Sequence, residues 1–306
     1  MRKILVNSFF NLTNKYGPLR RIVWKPIYEM LARQFKYEEW QFMNYGYKPL
    51  KNEPLVKLHK DDEINRYPIQ SYHYLANKVK LKGLKVLEVG SGRGGGASFI
   101  KRYHFPSKMI GMDIAKSAVK LARKHHPHDG LEFIEGNAEK IHFEDNSFDV
   151  IINVESSHAY GSELKFFNEV KRILKPGGYF LCTDLRDKHK MEIMKKNLLK
   201  SGLELLEEED ITENVIMAME EESDIKNKRI NEKIPKLYLK NFKEFAGVVG
   251  SAMYLNIKNR HAVYYRFTLQ KKKETKEAKP VKKAAKEKNI SKTAKSSKQK
   301  AKSKKA

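Results

Sequence analysis

The sequence is poor in cysteine and in long apolar runs. Cys182 is the only cysteine among 306 residues, so an intramolecular disulfide is excluded. It lies in "YFLCTDL", a pattern typical of a buried strand. No stretch approaches the ~18 consecutive apolar residues that a membrane span requires, and no small-residue cleavage site of a signal peptide follows the basic, apolar N-terminus. These absences predict a cytoplasmic protein that contacts a membrane at most peripherally.

The C-terminal segment lacks aromatic residues and almost all apolar ones. Residues 271–306 contain 16 Lys and 3 Glu, so they carry +13 of the net charge of +25. A segment of this composition cannot bury enough surface to offset the entropy of ordering, and we predict a disordered, Lys-rich tail. Its charge suits loose contact with nucleic acid or an anionic membrane, and it suits a solubilising role equally well.

Short apolar runs alternate with helical spacing through the middle of the chain. The runs are "LKVLEV", "KMIGMDI", "LEFIEG", "FDVIINV" and "GYFLCTDL", and "HAVYYRFTLQ" follows after a long connection. Strand and helix in repetition predict an α/β fold with a mostly parallel sheet and helices on both faces. We predict a helical N-terminal cover over residues 1–60, an α/β domain over 61–270, and a helical insertion at about 210–259 before the last strand.

The segment "EVGSGRGGG" follows the first predicted strand. Gly90, Gly92 and Gly95 match G-x-G-x-x-G, whereas Gly90, Gly92 and Gly94 match G-x-G-x-G. In either case the glycines let the backbone pass close to a nucleotide where a Cβ would clash. Asp113 ends the second predicted strand, where its carboxylate can accept both hydroxyls of a ribose. These two features suit NAD and S-adenosylmethionine alike.

Further features favour S-adenosylmethionine. Glu88 stands two residues before Gly90, where an anion suits the cationic methionine end of that cofactor and would repel a pyrophosphate. After the third strand, Asn137, Ala138 and Glu139 can frame an adenine edge. The predicted cofactor-binding residues are Glu88, Gly90, Gly92, Gly94, Asp113, Asn137, Ala138, Glu139 and Asn153. No metal site is predicted.

The order E-x-G-x-G-x-G, an acidic end of strand two, N-A-E, F-D-V and L-K-P-G-G resembles class I S-adenosylmethionine methyltransferases over about residues 82–185. Over about residues 38–270, "FMNYGY", "DDEINRYPIQSYHYL", "NVESSHAYGS" and "EFAGVVGSAMY" resemble the phthiotriol/phenolphthiotriol dimycocerosate methyltransferases and related bacterial enzymes. The resemblance implies a Rossmann-like, seven-stranded sheet. It also implies O-methylation of a hydroxyl on a long lipid or polyketide.

The segment "NVESSHAYGS" supplies the candidate catalytic residues, because it follows the fourth strand at the carboxyl edge of the sheet. A hydroxyl acceptor must lose its proton, and a well-placed base contributes on the order of 10²–10⁴ in rate. His158 is the first candidate, since its reference pKa of ~6.5 leaves it largely neutral at pH 7. We expect Glu155 to orient the imidazole and Tyr160 to bind the acceptor oxygen. Asp184 is a weaker candidate base, and a purely structural role of His158 is an equal alternative.

Other function classes fit the sequence less well. A nucleobase amino-methyltransferase would favour Asn/Asp-Pro-Pro-aromatic after strand four, where this chain has Asn153 followed by Val-Glu-Ser. A cytosine C5 enzyme needs a nucleophilic cysteine, whereas Cys182 lies inside a predicted strand. Glu88 disfavours a nicotinamide dehydrogenase, and a non-enzymatic nucleic-acid-binding module would not need the cofactor residues. A methyltransferase guided to protein or nucleic acid by the tail is the main alternative.

Overall fold

The computed structural model describes Glu29 and residues 40–50 and 53–273. The predicted tail lies outside this part of the chain beyond Lys273, and so does most of the predicted N-terminal cover. Where that segment is described, Glu29 is helical, whereas residues 40–50 and 53–59 contain no helix. Pro49 and Pro54 lack the amide hydrogens that a helix needs, and Gly46 has a φ of +88°.

In the described part of the chain, seven strands form one sheet in the order β3-β2-β1-β4-β5-β7-β6. Strands β1 to β5 are parallel, and β7 pairs antiparallel with both β5 and β6. This confirms the predicted α/β fold with a mostly parallel sheet. The strands are β1 (Lys85–Val89), β2 (Lys108–Asp113), β3 (Leu131–Glu135), β4 (Phe148–Val154), β5 (Leu174–Asp187), β6 (Glu204–Asp210) and β7 (Ala262–Gln270).

Helices cover both faces of the sheet, because successive strand residues point to opposite sides. In β1, Val86 packs with Ile69 and Phe99 in one hydrophobic cluster, and Leu87 packs with Phe166 and Met191 in the other. No helix in the described residues is long and apolar enough to cross a membrane. The helices are α1 (Arg66–Ala76), α2 (Gly95–His104), α3 (Lys116–His125), α4 (Glu163–Ile173), α5 (Lys188–Lys200), α6 (Thr212–Lys233), α7 (Leu239–Phe245) and α8 (Ala252–Lys258).

Strand β6 is the element that the sequence did not reveal. Its residues, "ELLEEED", carry five acidic side chains and pair with β7 alone, so β6 is an edge strand. Arg266 of β7 holds it in place through Glu207 at 2.8 Å and Glu209 at 2.7 Å. Helices α6, α7 and α8 connect β6 to β7 and occupy the segment that was predicted as a helical insertion.

Candidate active site

A cavity of about 120 Å³ lies beyond the carboxyl ends of β1, β2 and β4. There the chain order reverses, since β1 has β2 on one side and β4 on the other. We call this the glycine-loop cavity. The predicted site residues that line it are Gly90, Gly92, Asp113, Asn137, Ala138, Glu139, Glu155 and Tyr160. Glu88, Gly94, Asn153 and His158 are not in its wall.

Two glycines of the loop stand where a side chain would collide with its neighbours. Gly90 has a φ of +78°, and a Cβ there would lie 2.3 Å from Ser156 Oγ and 2.9 Å from the Tyr160 hydroxyl. Gly94 also has a positive φ, but a Cβ at Gly94 would strike the ring of Phe133 at 2.6 Å. Gly90 therefore keeps the cavity wall open, while Gly94 permits packing at the start of α2.

Asp113 connects the end of β2 to the glycine loop. Its Oδ2 accepts a hydrogen bond from the Gly92 amide at 2.8 Å, and its Oδ1 accepts one from the Ala115 amide at 2.8 Å. Burial raises the pKa of Asp113 although these amides favour the charged form. The carboxylate is thus fixed at the cavity wall, and each oxygen has a further lone pair with which to accept a ribose hydroxyl.

Two predicted cofactor residues lie directly behind the wall. Glu88 accepts a hydrogen bond from the Tyr72 hydroxyl at 2.7 Å, and Tyr72 lines the cavity. Burial raises the pKa of Glu88 to about 7. Asn153 donates to Val89 O at 2.8 Å and to Ser156 Oγ at 2.7 Å. Glu88 Oε2 and Asn153 Oδ1 are buried without a hydrogen-bond partner, and such atoms beside a cavity fit a polar ligand.

His158 is oriented by Asp184 and not by Glu155, which corrects the prediction. The imidazole Nδ1 lies 2.8 Å from Asp184 Oδ1, and the His158 amide donates to Oδ2 at 3.2 Å. Burial opposes ionisation of Asp184, but Arg186, His158 and Ser157 hold its pKa well below the usual range. His158 does not line the glycine-loop cavity itself, but the next two residues, Ala159 and Tyr160, form part of its wall.

Glu155 connects the turn after β4 to the segment at residues 40–50 and to β7. Its Oε1 accepts hydrogen bonds from the Tyr45 amide at 2.8 Å and from the Tyr264 hydroxyl of β7. Burial raises its pKa to about 8, although these two donors favour the charged form. Glu155 has a φ of +45°, an uncommon conformation for a residue with a side chain. The sequence could not reveal this role, because both partners are more than 100 residues away.

Tyr160 lies in the wall with its hydroxyl turned toward polar neighbours. The oxygen is 3.1 Å from Asn153 Nδ2 and 2.9 Å from Ser156 Oγ. Burial raises the pKa of Tyr160 although both contacts favour the charged form. The phenol is therefore a neutral hydrogen-bonding group at neutral pH.

A second cavity, of about 190 Å³, adjoins the first. It lies between the extended segment at residues 40–45, the start of α1, and helices α6 and α7. Phe42, Met43, Asn44 and Arg93 line both cavities. Its walls are about 180 residues apart in the chain, so no local pattern could locate it. Arg93, which stands inside the glycine segment, was not predicted as a site residue, and burial lowers its pKa to about 10.

Known proteins are similar in sequence to this chain. Residues 87–182 match the family model described as a methyltransferase domain. The fatty-acid O-methyltransferase of Mycolicibacterium smegmatis is 39% identical over 201 residues, which are 65% of this chain and 73% of that protein. The phthiotriol/phenolphthiotriol dimycocerosates methyltransferase of Mycobacterium tuberculosis is 35% identical over 232 residues, which are 76% of this chain and 85% of that protein.

The chain belongs to the class I S-adenosylmethionine-dependent methyltransferases. Geranyl diphosphate C-methyltransferase from Streptomyces coelicolor, solved with S-adenosylhomocysteine, shares the fold of this methyltransferase with a TM-score of 0.57 at 15% identity. It aligns over 80% of this chain and 98% of that one. S-adenosylmethionine is the methyl donor, as predicted from Glu88, Asp113 and the glycine loop.

Proposed function

We propose that this methyltransferase transfers a methyl group to a hydroxyl oxygen of an apolar, lipid-like acceptor, with His158 as the general base. The hydrogen bond between His158 and Asp184 beside the glycine-loop cavity carries the proposal. The names of two relatives, a fatty-acid O-methyltransferase and a phthiotriol/phenolphthiotriol dimycocerosates methyltransferase, support transfer to a lipid-like acceptor.

The cofactor would occupy the glycine-loop cavity. Asp113 would accept the ribose hydroxyls, and Asn137 would face the adenine together with its two neighbours, Ala138 and Glu139. Gly90 would let the backbone approach the ligand. The negative charge of ionised Glu88, which lies behind Tyr72, would attract the cationic methionine end. When bound, S-adenosylmethionine supplies a methyl carbon that its sulfonium activates, so the protein contributes position and removal of a proton.

His158 can remove that proton because Asp184 fixes its tautomer. In this tautomer the Nδ1–H group donates a hydrogen bond to the carboxylate of Asp184. The lone pair of Nε2 is then left to accept the proton of the acceptor hydroxyl. As the hydroxyl oxygen bonds to the methyl carbon, its proton moves to Nε2. Asp184 stays ionised and stabilises the imidazolium. Tyr160 would bind the acceptor oxygen by donating its phenolic proton.

The test uses methyl-labelled S-adenosylmethionine and an extract of the source cells, separated into organic, protein and nucleic-acid fractions. We expect alkali-stable label, typical of a methyl ether, in the organic fraction. His158→Ala should lower the rate by about 10²–10⁴, whereas His142→Ala, at an exposed histidine, should leave it unchanged. Affinity for S-adenosylmethionine should be the same in all three proteins.

Other outcomes would contradict specific parts of the proposal. Alkali-labile label would mean that a carboxyl group accepts the methyl, which needs no base. Label confined to the protein or nucleic-acid fraction would favour the alternative that the Lys-rich tail recruits the substrate. An unchanged rate in His158→Ala would remove His158 from the role of base.

A further inference from the structure

The wall of the second cavity contains an unusual concentration of exposed apolar side chains. Met43, Ile64, Ile225 and Phe245 line it and are 38%, 42%, 54% and 36% exposed. Trp40, also in the wall, stacks on Phe242 with ring centroids 5.2 Å apart. Apolar residues that share one concave surface indicate a binding site for an apolar ligand, whereas scattered ones need no explanation.

One face of helix α6, which carries both charged and apolar side chains, lines this cavity. The lining residues recur at the spacing of a helix face, so they lie along one side of α6. Three of them, Lys226, Arg229 and Lys233, make the C-terminal half of the face basic. The complete set is Glu221, Glu222, Ile225, Lys226, Arg229, Ile230 and Lys233.

The carboxylates in the wall already have cationic partners. These ion pairs are Glu63 with Arg66, Glu221 with Lys48, and Glu222 with Lys226. No carboxylate in the described part of the chain lies within ion-pair distance of Arg229. Its guanidinium has two long contacts, both of 3.4 Å and both to the Ile64 carbonyl. Burial lowers the pKa of Arg229, whereas the nearby charge of Glu222 favours its protonated form.

We propose that the second cavity binds the apolar chain of the methyl acceptor and that Arg229 pairs with a carboxylate on that chain. The planar guanidinium can donate two parallel hydrogen bonds to a carboxylate. The identification of this ligand as the methyl acceptor rests on the proposed function, whereas the site itself does not.

The geometry also assigns the two ends of the acceptor. The reacting end of the acceptor must enter the first cavity, where the methyl donor is bound, by way of the residues that the two cavities share, which are Phe42, Met43, Asn44 and Arg93. Arg229 lines the second cavity but not the first. The carboxylate that it binds is therefore separate from the group that is methylated. The acceptor is therefore a hydroxylated fatty acid.

Binding of simple probes tests this site without any methyl transfer. In a Trp24→Phe background, Trp40 is the only tryptophan left, and its fluorescence reports occupancy of the second cavity. Decanoate and 1-decanol have the same chain length, but only decanoate is anionic. We expect decanoate to bind at least about tenfold more tightly, the ratio expected for a charge-assisted hydrogen bond.

Two variants of α6 distinguish a specific site from general electrostatic attraction. Arg229→Gln should bind both probes equally, with the affinity for 1-decanol unchanged. Lys228→Gln removes the same charge from an exposed position outside the cavity and should keep the preference for decanoate. Decanoate binding that falls equally in both variants would overturn the role of Arg229. Equal binding of decanoate and 1-decanol to the unmodified protein would also overturn the role of Arg229. If neither probe binds, the apolar site itself is overturned.

These results separate the further inference from the proposed function. Carboxylate-dependent binding that is abolished by Arg229→Gln would support the site even if no lipid is methylated. Conversely, methylation of a lipid hydroxyl in a protein that shows no preference for decanoate would support the proposed function and overturn the site.

Discussion

Asp184 Oδ1 lies 2.8 Å from the imidazole Nδ1 of His158, and the same oxygen lies 2.8 Å from Arg186 Nη1. Asp184 is fully buried and the Arg186 side chain is 3% exposed. The carboxylate therefore orients a candidate base and also compensates a buried cation. One substitution should affect both catalysis and folding.

Asp184→Asn should lower the free energy of unfolding by roughly 3–5 kcal/mol, because it leaves the Arg186 charge with Glu163 as its remaining acidic partner. Urea unfolding at pH 7 measures this, with Asp224→Asn at an exposed position of α6 as the control. Since the pKa of Asp184 is depressed, its stabilising effect is lost as the pH falls below the unfolded value of 3.8. The two proteins should therefore converge in acid, and a constant difference would contradict the ion pair.

Glu155 should make the fold less stable as the pH rises. A carboxyl of this type ionises near pH 4.5 when unfolded, whereas burial raises the pKa of Glu155 to about 8 in the fold. Between these values the folded chain keeps a proton that the unfolded chain has released, so the free energy of unfolding falls with pH. Glu88 acts in the same direction, since its pKa is raised to about 7.

Glu155→Gln should flatten this decline and unfold at a higher urea concentration than the unmodified protein at pH 8. The expected gain there is on the order of 1 kcal/mol or more. Glu204→Gln, at an exposed position of β6, is the matched control. Parallel pH profiles for Glu155→Gln and the unmodified protein would show that Glu155 is ionised in the fold.

Asp113→Asn should weaken binding of S-adenosylmethionine by about 10–100-fold, because hydrogen bonds to a charged acceptor contribute roughly 1.5–3 kcal/mol. The glycine loop should also loosen, since the Gly92 amide donates to this carboxylate. Calorimetric titration measures the affinity. Glu132→Gln, in a surface ion pair of β3, should bind the cofactor normally. Equal affinities in both variants would exclude Asp113 from the cofactor site.

Gly90→Ala and Gly83→Ala form a matched pair. Both glycines have positive φ, +78° and +81°, so alanine costs roughly 1–2 kcal/mol of backbone strain at either position. At Gly83 the new methyl group would meet nothing within 4 Å, whereas at Gly90 it would collide with Ser156 and Tyr160. We expect Gly90→Ala to lower the free energy of unfolding more than Gly83→Ala, because the collision adds to the backbone strain, and we expect loss of cofactor binding in Gly90→Ala alone. Normal binding by Gly90→Ala would contradict its place in the wall.

Local patterns predicted the parts of the site that depend on one strand and the turn after it. The glycine loop, Asp113 and the residues from Asn137 to Glu139 lie in the cavity wall because parallel strands end at one edge of the sheet. Strand β6 was not predicted, because an edge strand need not bury an apolar face. Its acidic residues lack the alternation of apolar and polar residues that is typical of a strand.

The sequence by itself determined the α/β fold, the class of enzyme and the cofactor, since these follow from short motifs in a fixed order along the chain. The tertiary structure decided which side chains meet. Glu155 directly follows β4 and Asp184 lies near the carboxyl end of β5, at the same edge of the sheet. Even so, Asp184 contacts His158 and Glu155 contacts Tyr264. The second cavity, with Arg229 in its wall, likewise exists only once α6 packs beside residues 40–45. Side-chain direction and long-range packing depend on the whole fold, so no local pattern encodes them.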